Sequence, residues 1–276
     1  MPESVFENDS PPLTKSAARA ARRAEKLKKK TGSTVVGLPL VARSERQHEF
    51  LEFLRQNESI FSIGPAGTGK TFLSARIAAQ NLVNQKIEKI IVARVTASNT
   101  KNALGFLPGK LNDKLKPWLT PVLDGIRAEI GAHTMDQWLA DGRLEIASFE
   151  HMRGRTFQNA FILLDEAQNA SFSDLKLFLT RIGDGAQVVV TGDLDQIDVK
   201  DSGLLEIIKL NLRYEGPLKI VQFKDQDVVR SRFTKEWVRI FSLDAENKGL
   251  TTASNSMILD ELPAFLHNPG MSRKIG

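Results

Sequence analysis

A chain of 276 residues, 41% of them hydrophobic, can bury one large core or two modest ones. It contains no cysteine, which excludes disulfides and thiolate metal sites. No stretch approaches the roughly eighteen apolar residues of a membrane span, and the N-terminus lacks the apolar core of a secretory signal, so a soluble, cytoplasmic protein without membrane attachment is expected.

The formal charge of +5 invites a nucleic-acid partner, but residues 1–30 hold eight Lys/Arg against four acids and so carry nearly all of it. Residues 1–33 are rich in Ser, Pro, Ala, Lys and Arg, with too few large apolar side chains to offset the entropy of ordering them. This stretch is expected to be a disordered basic tail, either a solvated arm or one attracted to phosphate backbones. Residues 34–246 follow as one α/β unit, and 247–276 as a loosely held C-terminal extension.

Gln47 to Leu54 predicts a short amphipathic helix leading into a first strand at Ser59–Ile63. Immediately after that strand come Gly64, Pro65, Ala66, Gly67, Thr68, Gly69, Lys70 and Thr71, which fit G-x-x-x-x-G-K-[ST], the loop whose backbone N–H groups wrap a nucleotide's phosphates. A helical pattern beginning at Phe72 completes the strand–loop–helix context that the motif requires. Lys70 is placed to meet the β and γ phosphates, and Thr71 to hold Mg²⁺ through its hydroxyl, both at a helix start whose dipole attracts anions.

Lys89–Arg94 predicts a second buried strand, whose polar continuation reaches the rim where α/β sheets gather ligands. A turn from Leu104 to Gly109 and a helical region with Trp118 and Trp138 follow; both tryptophans suit a core better than a base-stacking platform. Leu144–Phe149 predicts a third strand, ending in a basic turn with Arg153 and Arg155.

A fourth strand, Ala160–Leu164, runs straight into Asp165 and Glu166. Acids at that point suit a metal held from the sheet's edge: Asp165 bonds the Mg²⁺ water shell and Glu166 orients an attacking water, which favours hydrolysis over transfer to a small-molecule acceptor. For either acid to act with Lys70 and Thr71, their strands are expected to be neighbours. A fifth strand at Gln187–Val190 leads to Asp193 and Gln196, polar groups placed to sense the γ-phosphate. A sixth, Leu218–Phe223, precedes Arg230 and Arg232 and a helix through Trp237, Ile240 and Phe241.

The segments Gly64–Thr71, Leu104–Gly109, Met152–Thr156, Leu164–Asn169, Phe178–Arg181, Val190–Asp193 with Gln196–Asp198, and Asp227–Arg230, in that order, resemble the PhoH-like family of phosphate-starvation ATPases, P-loop proteins near the first helicase superfamily. The likeness covers about residues 44–245. It implies ATP hydrolysis in a RecA-like domain and RNA helicase or translocase activity. It also implies an adenine-reading role for Gln47, whose amide can both donate and accept. Arg94-Val-Thr-Ala departs from the family's usual Arg-Pro-Ala-Val.

A translocase of this kind needs two RecA-like units that close on ATP, and this sequence supplies one, so a homo-oligomeric ring, with a hexamer as the candidate, is expected. A neighbour's arginine would then act at the γ-phosphate; Arg230 is favoured over Arg232, Arg181, Arg153 and Arg155 because it follows the last strand inside a matching segment. The expected partner is single-stranded nucleic acid, RNA above DNA. The rival expectation is an ATP-driven oligomeric switch that binds a protein through Leu104–Gly109, with no strand passing through.

Overall fold

The computed structural model describes residues 37–95, 119–147, 152–197, 199 and 201–229, with helical positions 233, 236, 237 and 240. The basic tail, the Leu104–Gly109 turn, Trp118, His151, Arg230, Arg232, Phe241 and the extension at 247–276 lie outside those residues.

Ser44 accepts the Gln47 N–H and starts helix α1, Glu45–Arg55. Then come β1 Ser59–Ile63, α2 Lys70–Val83, β2 Lys89–Arg94, α3 Thr120–Ile130, α4 Ala132–Asp141, β3 Leu144–Ala147 and β4 Ala160–Asp165. The described part continues with α5 Phe172–Leu179, β5 Gln187–Gly192, α6 Leu204–Arg213 and β6 Leu218–Gln222. A reciprocal capping box between Ser171 and Asp174 opens α5, a local signal that fixes where this helix begins.

The six strands form one parallel sheet in the order β3-β2-β4-β5-β1-β6. Alternate residues of each strand enter opposite cores. Phe161 and Leu163 of β4 join Ile60, Val189 and the apolar faces of α1 to α4, whereas Ile162 and Leu164 join Phe61, Val190 and the faces of α5 and α6. Each such side chain, taken fully from water, contributes about 1.5–3 kcal/mol before entropy is counted. Burial on both faces explains why these strands read as continuous apolar runs. Trp138 sits in the first core, as its periodicity predicts, with the Arg143 guanidinium 5.6 Å above its ring.

One sequence expectation is corrected by the topology. The strand before the glycine loop and the strand before the two acids are not neighbours: β5 lies between them, paired to β1 on one side and β4 on the other. The short α5 crossover lays β5 directly beside β4, leaving β1 to pair with its far edge.

Candidate nucleotide site

The carboxyl ends of β1, β2, β4 and β5 converge on one rim. Beyond β1 the loop is held from three directions. Gly64 N–H extends the ladder to Gly192 O at 3.1 Å, Val229 N–H donates to Gly67 O at 2.9 Å, and the Gln47 side chain donates to Thr68 O at 2.8 Å. Gly64 has φ +137°, and a Cβ there would lie 2.3 Å from Phe223 O. Gly69, at φ 87°, turns the chain into α2 and brings no side-chain cap to the helix start. The first N–H groups of α2 therefore keep the anion-binding character of an uncapped helix N-terminus.

Lys70 and Thr71 are the first two residues of α2. Lys70 Nζ folds back on the loop, donating to Gly64 O at 2.5 Å and Pro65 O at 2.9 Å. Thr71 Oγ1 points the other way and donates to Asp165 Oδ1 at 2.8 Å. The interposed strand takes part as well: Thr191 Oγ1 of β5 donates to the same Asp165 oxygen at 2.5 Å. The hydroxyl of Thr71 and the carboxylate of Asp165 are hard oxygen donors converging at hydrogen-bond distance, a set that suits Mg²⁺. Among the described residues no group of three or more His, Cys, Asp or Glu could hold a metal ion, so an ion at Thr71 and Asp165 would complete its shell with phosphate oxygens and water.

Glu166 has left-handed backbone angles, φ 57° and ψ 41°, uncommon for a residue with a side chain and concentrated at functional sites. Its Oε2 accepts from Gln168 Nε2 at 2.6 Å, and Gln168 Oε1 accepts in turn from Asp193 N–H at 3.2 Å. Asp193 is itself buried and accepts from Asp195 N–H at 3.0 Å. Burial holds its carboxyl above the usual 3.8; the Asp195 N–H and the Lys70 charge pull it down, while the charges of Asp195 and Glu166 push it up. Gln196 is exposed one turn further on, its N–H on Asp193 O at 3.3 Å.

The structure thus gathers Lys70, Thr71, Asp165, Glu166 and Asp193 on one rim. Gln47 is only 4% exposed, and both ends of its amide are engaged within the chain, Oε1 accepting from Arg43 N–H at 2.8 Å and Nε2 donating to Thr68 O. Among the described arginine candidates, Arg155 pairs with Glu145 through both terminal nitrogens, at 2.5 and 2.9 Å, and lies 4.8 Å above the Phe157 ring. Arg153 is exposed, and Arg181 Nη2 donates to Thr180 Oγ1 at 3.3 Å. Arg94, Gln168 and Thr191 enter the network without having been singled out as site residues. Arg94 and Thr191 carried a signal in their places at strand ends on the ligand rim, and Gln168 and Thr191 lie within the family-like segments Leu164–Asn169 and Val190–Asp193.

A parallel sheet with this loop, these acids and the hydroxyl between them defines the P-loop α/β fold class. Residues 39–242 match the family model described as PhoH-like protein, and the chain belongs to that family. It is 38% identical to Protein PhoH of Escherichia coli K12 over 209 residues, covering 74% of this chain and 58% of that one. It is 39% identical over 197 residues to the PhoH-like protein of Bacillus subtilis 168, covering 70% and 61%. With the PhoH-like protein of Mycobacterium tuberculosis H37Rv it shares 36% over 222 residues, covering 79% and 62%. The chain therefore spans about three fifths of the length of these relatives. Among solved structures it is similar to the large terminase of a thermophilic bacteriophage, with 13% identity, 71% and 49% of the two chains covered and a TM-score of 0.46. The Pif1 helicase of Candida albicans gives 18% identity, 67% and 40% coverage and a TM-score of 0.33. No helix among the described residues is long and apolar enough to cross a membrane.

Proposed function

We propose that this protein is a Mg²⁺-dependent ATPase that works as a cytoplasmic homo-oligomeric ring, with a hexamer as the candidate, and couples hydrolysis to movement along single-stranded RNA. The meeting of Thr71 and Asp165 carries the ATPase part of this reading, because a hydroxyl suited to Mg²⁺ at the phosphate loop there meets a carboxylate from another strand. Mg²⁺, when bound there, screens the phosphate charges. Lys70 exchanges loop carbonyls for phosphate oxygens, Glu166 orients the attacking water and accepts its proton, and Asp193 registers the γ-phosphate through its place beside Lys70 and Gln168. In such a ring a neighbour supplies the second face and an arginine acting in trans; Arg230 is the candidate.

ATP hydrolysis measured with and without single-stranded RNA or DNA tests the reading, alongside the mass of the particle in solution with and without ATP. Stimulation by RNA with salt-dependent binding supports it. Hydrolysis by an oligomer that ignores nucleic acid overturns the translocase part and leaves an ATP-driven oligomeric switch for a protein partner; a strict monomer overturns both.

A further inference from the structure

Arg94 ends β2 directly across the parallel ladder from Asp165, and the neighbouring Val95 N–H donates to Asp165 O at 3.2 Å, so the two strand ends are locked in register. From there Arg94 Nη1 reaches Asp165 Oδ2 at 3.3 Å and Nη2 reaches Glu166 Oε1 at 3.1 Å. One guanidinium thus spans the metal-binding acid and the water-orienting acid. We propose, resting on the ATPase reading above, that Arg94 is a positioning residue for Glu166 and competes with Mg²⁺ for the Asp165 carboxylate.

The competition follows from the way the Asp165 oxygens are shared. Oδ1 accepts from both Thr71 and Thr191, and Oδ2 faces Arg94. The Asp165 side chain is 6% exposed and that of Arg94 is 18% exposed, so their attraction is poorly screened, and a divalent cation at this carboxylate has to weaken it. The pair is built to yield: 3.1 and 3.3 Å are longer than the roughly 2.7–2.9 Å of a tight charge-assisted bond.

Glu166 has both oxygens engaged, Oε1 by Arg94 and Oε2 by Gln168, so an attacking water must take one of these places. Its side chain is 37% exposed against 6% for Asp165, and Arg94 supplies the contact that aims it along the rim. The two contacts use different nitrogens, Nη1 for Asp165 and Nη2 for Glu166, so weakening the first leaves the second to hold Glu166 in place. Metal occupancy and the orientation of the base are thereby coupled through a single side chain.

The test is the full-length chain titrated with Mg²⁺ in the presence of a fluorescent ATP analogue, in wild type, Arg94→Gln and Arg94→Lys, together with steady-state hydrolysis. Arg94→Gln is expected to lower the Mg²⁺ concentration at half-maximal analogue binding by about 10-fold, and to lower kcat by a similar factor with little change in KM for ATP. Arg94→Lys, which keeps the charge but reaches only one carboxylate, is expected to fall between; it carries the test if the glutamine variant does not fold. A gain in metal affinity beside a loss of kcat is not something a merely structural residue produces. An unmoved or raised Mg²⁺ midpoint, or an unchanged kcat, overturns the assignment while the ATPase reading stands. A wild-type protein that binds no analogue at any Mg²⁺ concentration overturns both.

Discussion

Thr71 donates to Asp165 over 2.8 Å although 94 positions separate them and the whole of β5 lies between β1, which leads to Thr71, and β4, which ends at Asp165. Thr191 of that interposed strand anchors the same carboxylate oxygen. The distance between β1 and β4 is therefore bridged by a helix start and by a hydroxyl of β5, which together keep the Asp165 carboxylate oriented.

Glu166→Gln should leave nucleotide binding intact and lower hydrolysis by about 10²–10⁴-fold, the usual worth of a positioned general base. The amide is nearly the size of the carboxylate and can keep one of its two rim contacts, from Arg94 or Gln168. Single-turnover hydrolysis beside analogue binding checks it; turnover at the wild-type rate removes Glu166 from the role of base.

Helix α2 is tied to α3 by a buried ion pair, Arg76 with Glu129, the two side chains being 8% and 1% exposed, and Arg76 also donates to Leu38 O. Replacing Arg76 by Ala leaves Glu129 charged and unpaired in the core, and urea unfolding should show a loss of about 3–5 kcal/mol. The double variant Arg76→Met with Glu129→Leu removes both charges and should recover most of that loss. A double variant as unstable as the single one would mean that packing, and not the unpaired charge, sets the cost.

Gly125 lets α3 approach α2 closely: a Cβ at this position would lie 2.7 Å from Ala75 Cβ and 2.9 Å from Phe72 O. Gly125→Ala gains about 1 kcal/mol of helix propensity but forces the helices apart, an overpacking cost of about 1–3 kcal/mol. A net loss in thermal stability is expected. Adding Ala75→Gly should relieve the contact and return part of it.

Asp193 supplies a pH dependence. Its native pKa is raised, so between 3.8 and that higher value the folded protein holds a proton that the unfolded chain has released, and stability falls as pH rises through the interval. Asp193→Asn removes the buried charge and keeps an oxygen for the Asp195 N–H. The variant should melt above wild type at pH 7, the difference closing as pH falls toward 3.8. A constant difference across the range would point to a cause other than ionisation.

Much of this was legible in the residues because the signals are local. The glycine loop, the strand before it and the helix after it occupy one short stretch, and the bounds of β1 and β2 agree with their apolar runs at Ser59–Ile63 and Lys89–Arg94. Strand neighbours were not legible: that β5 separates β1 from β4 depends on how crossovers lay strands on the sheet. Nor was the Arg94 contact with Asp165 and Glu166, since no spacing rule relates residues 71 or more positions apart. The engagement of Gln47 with Arg43 and the loop was equally hidden, because an amide's partners depend on what packs over it.

The order of residues by itself determined a phosphate loop at Gly64–Thr71, a pair of acids closing an apolar strand, and an α/β alternation between them. Each rests on chemistry within a few neighbouring positions. Tertiary structure alone decided that β5 stands in the middle, that Thr191 and Thr71 share one oxygen of Asp165, and that Arg94 reaches both acids. Those contacts are set by the register of parallel strands whose partners are far apart in the chain, and register emerges only when both faces of the sheet are buried together.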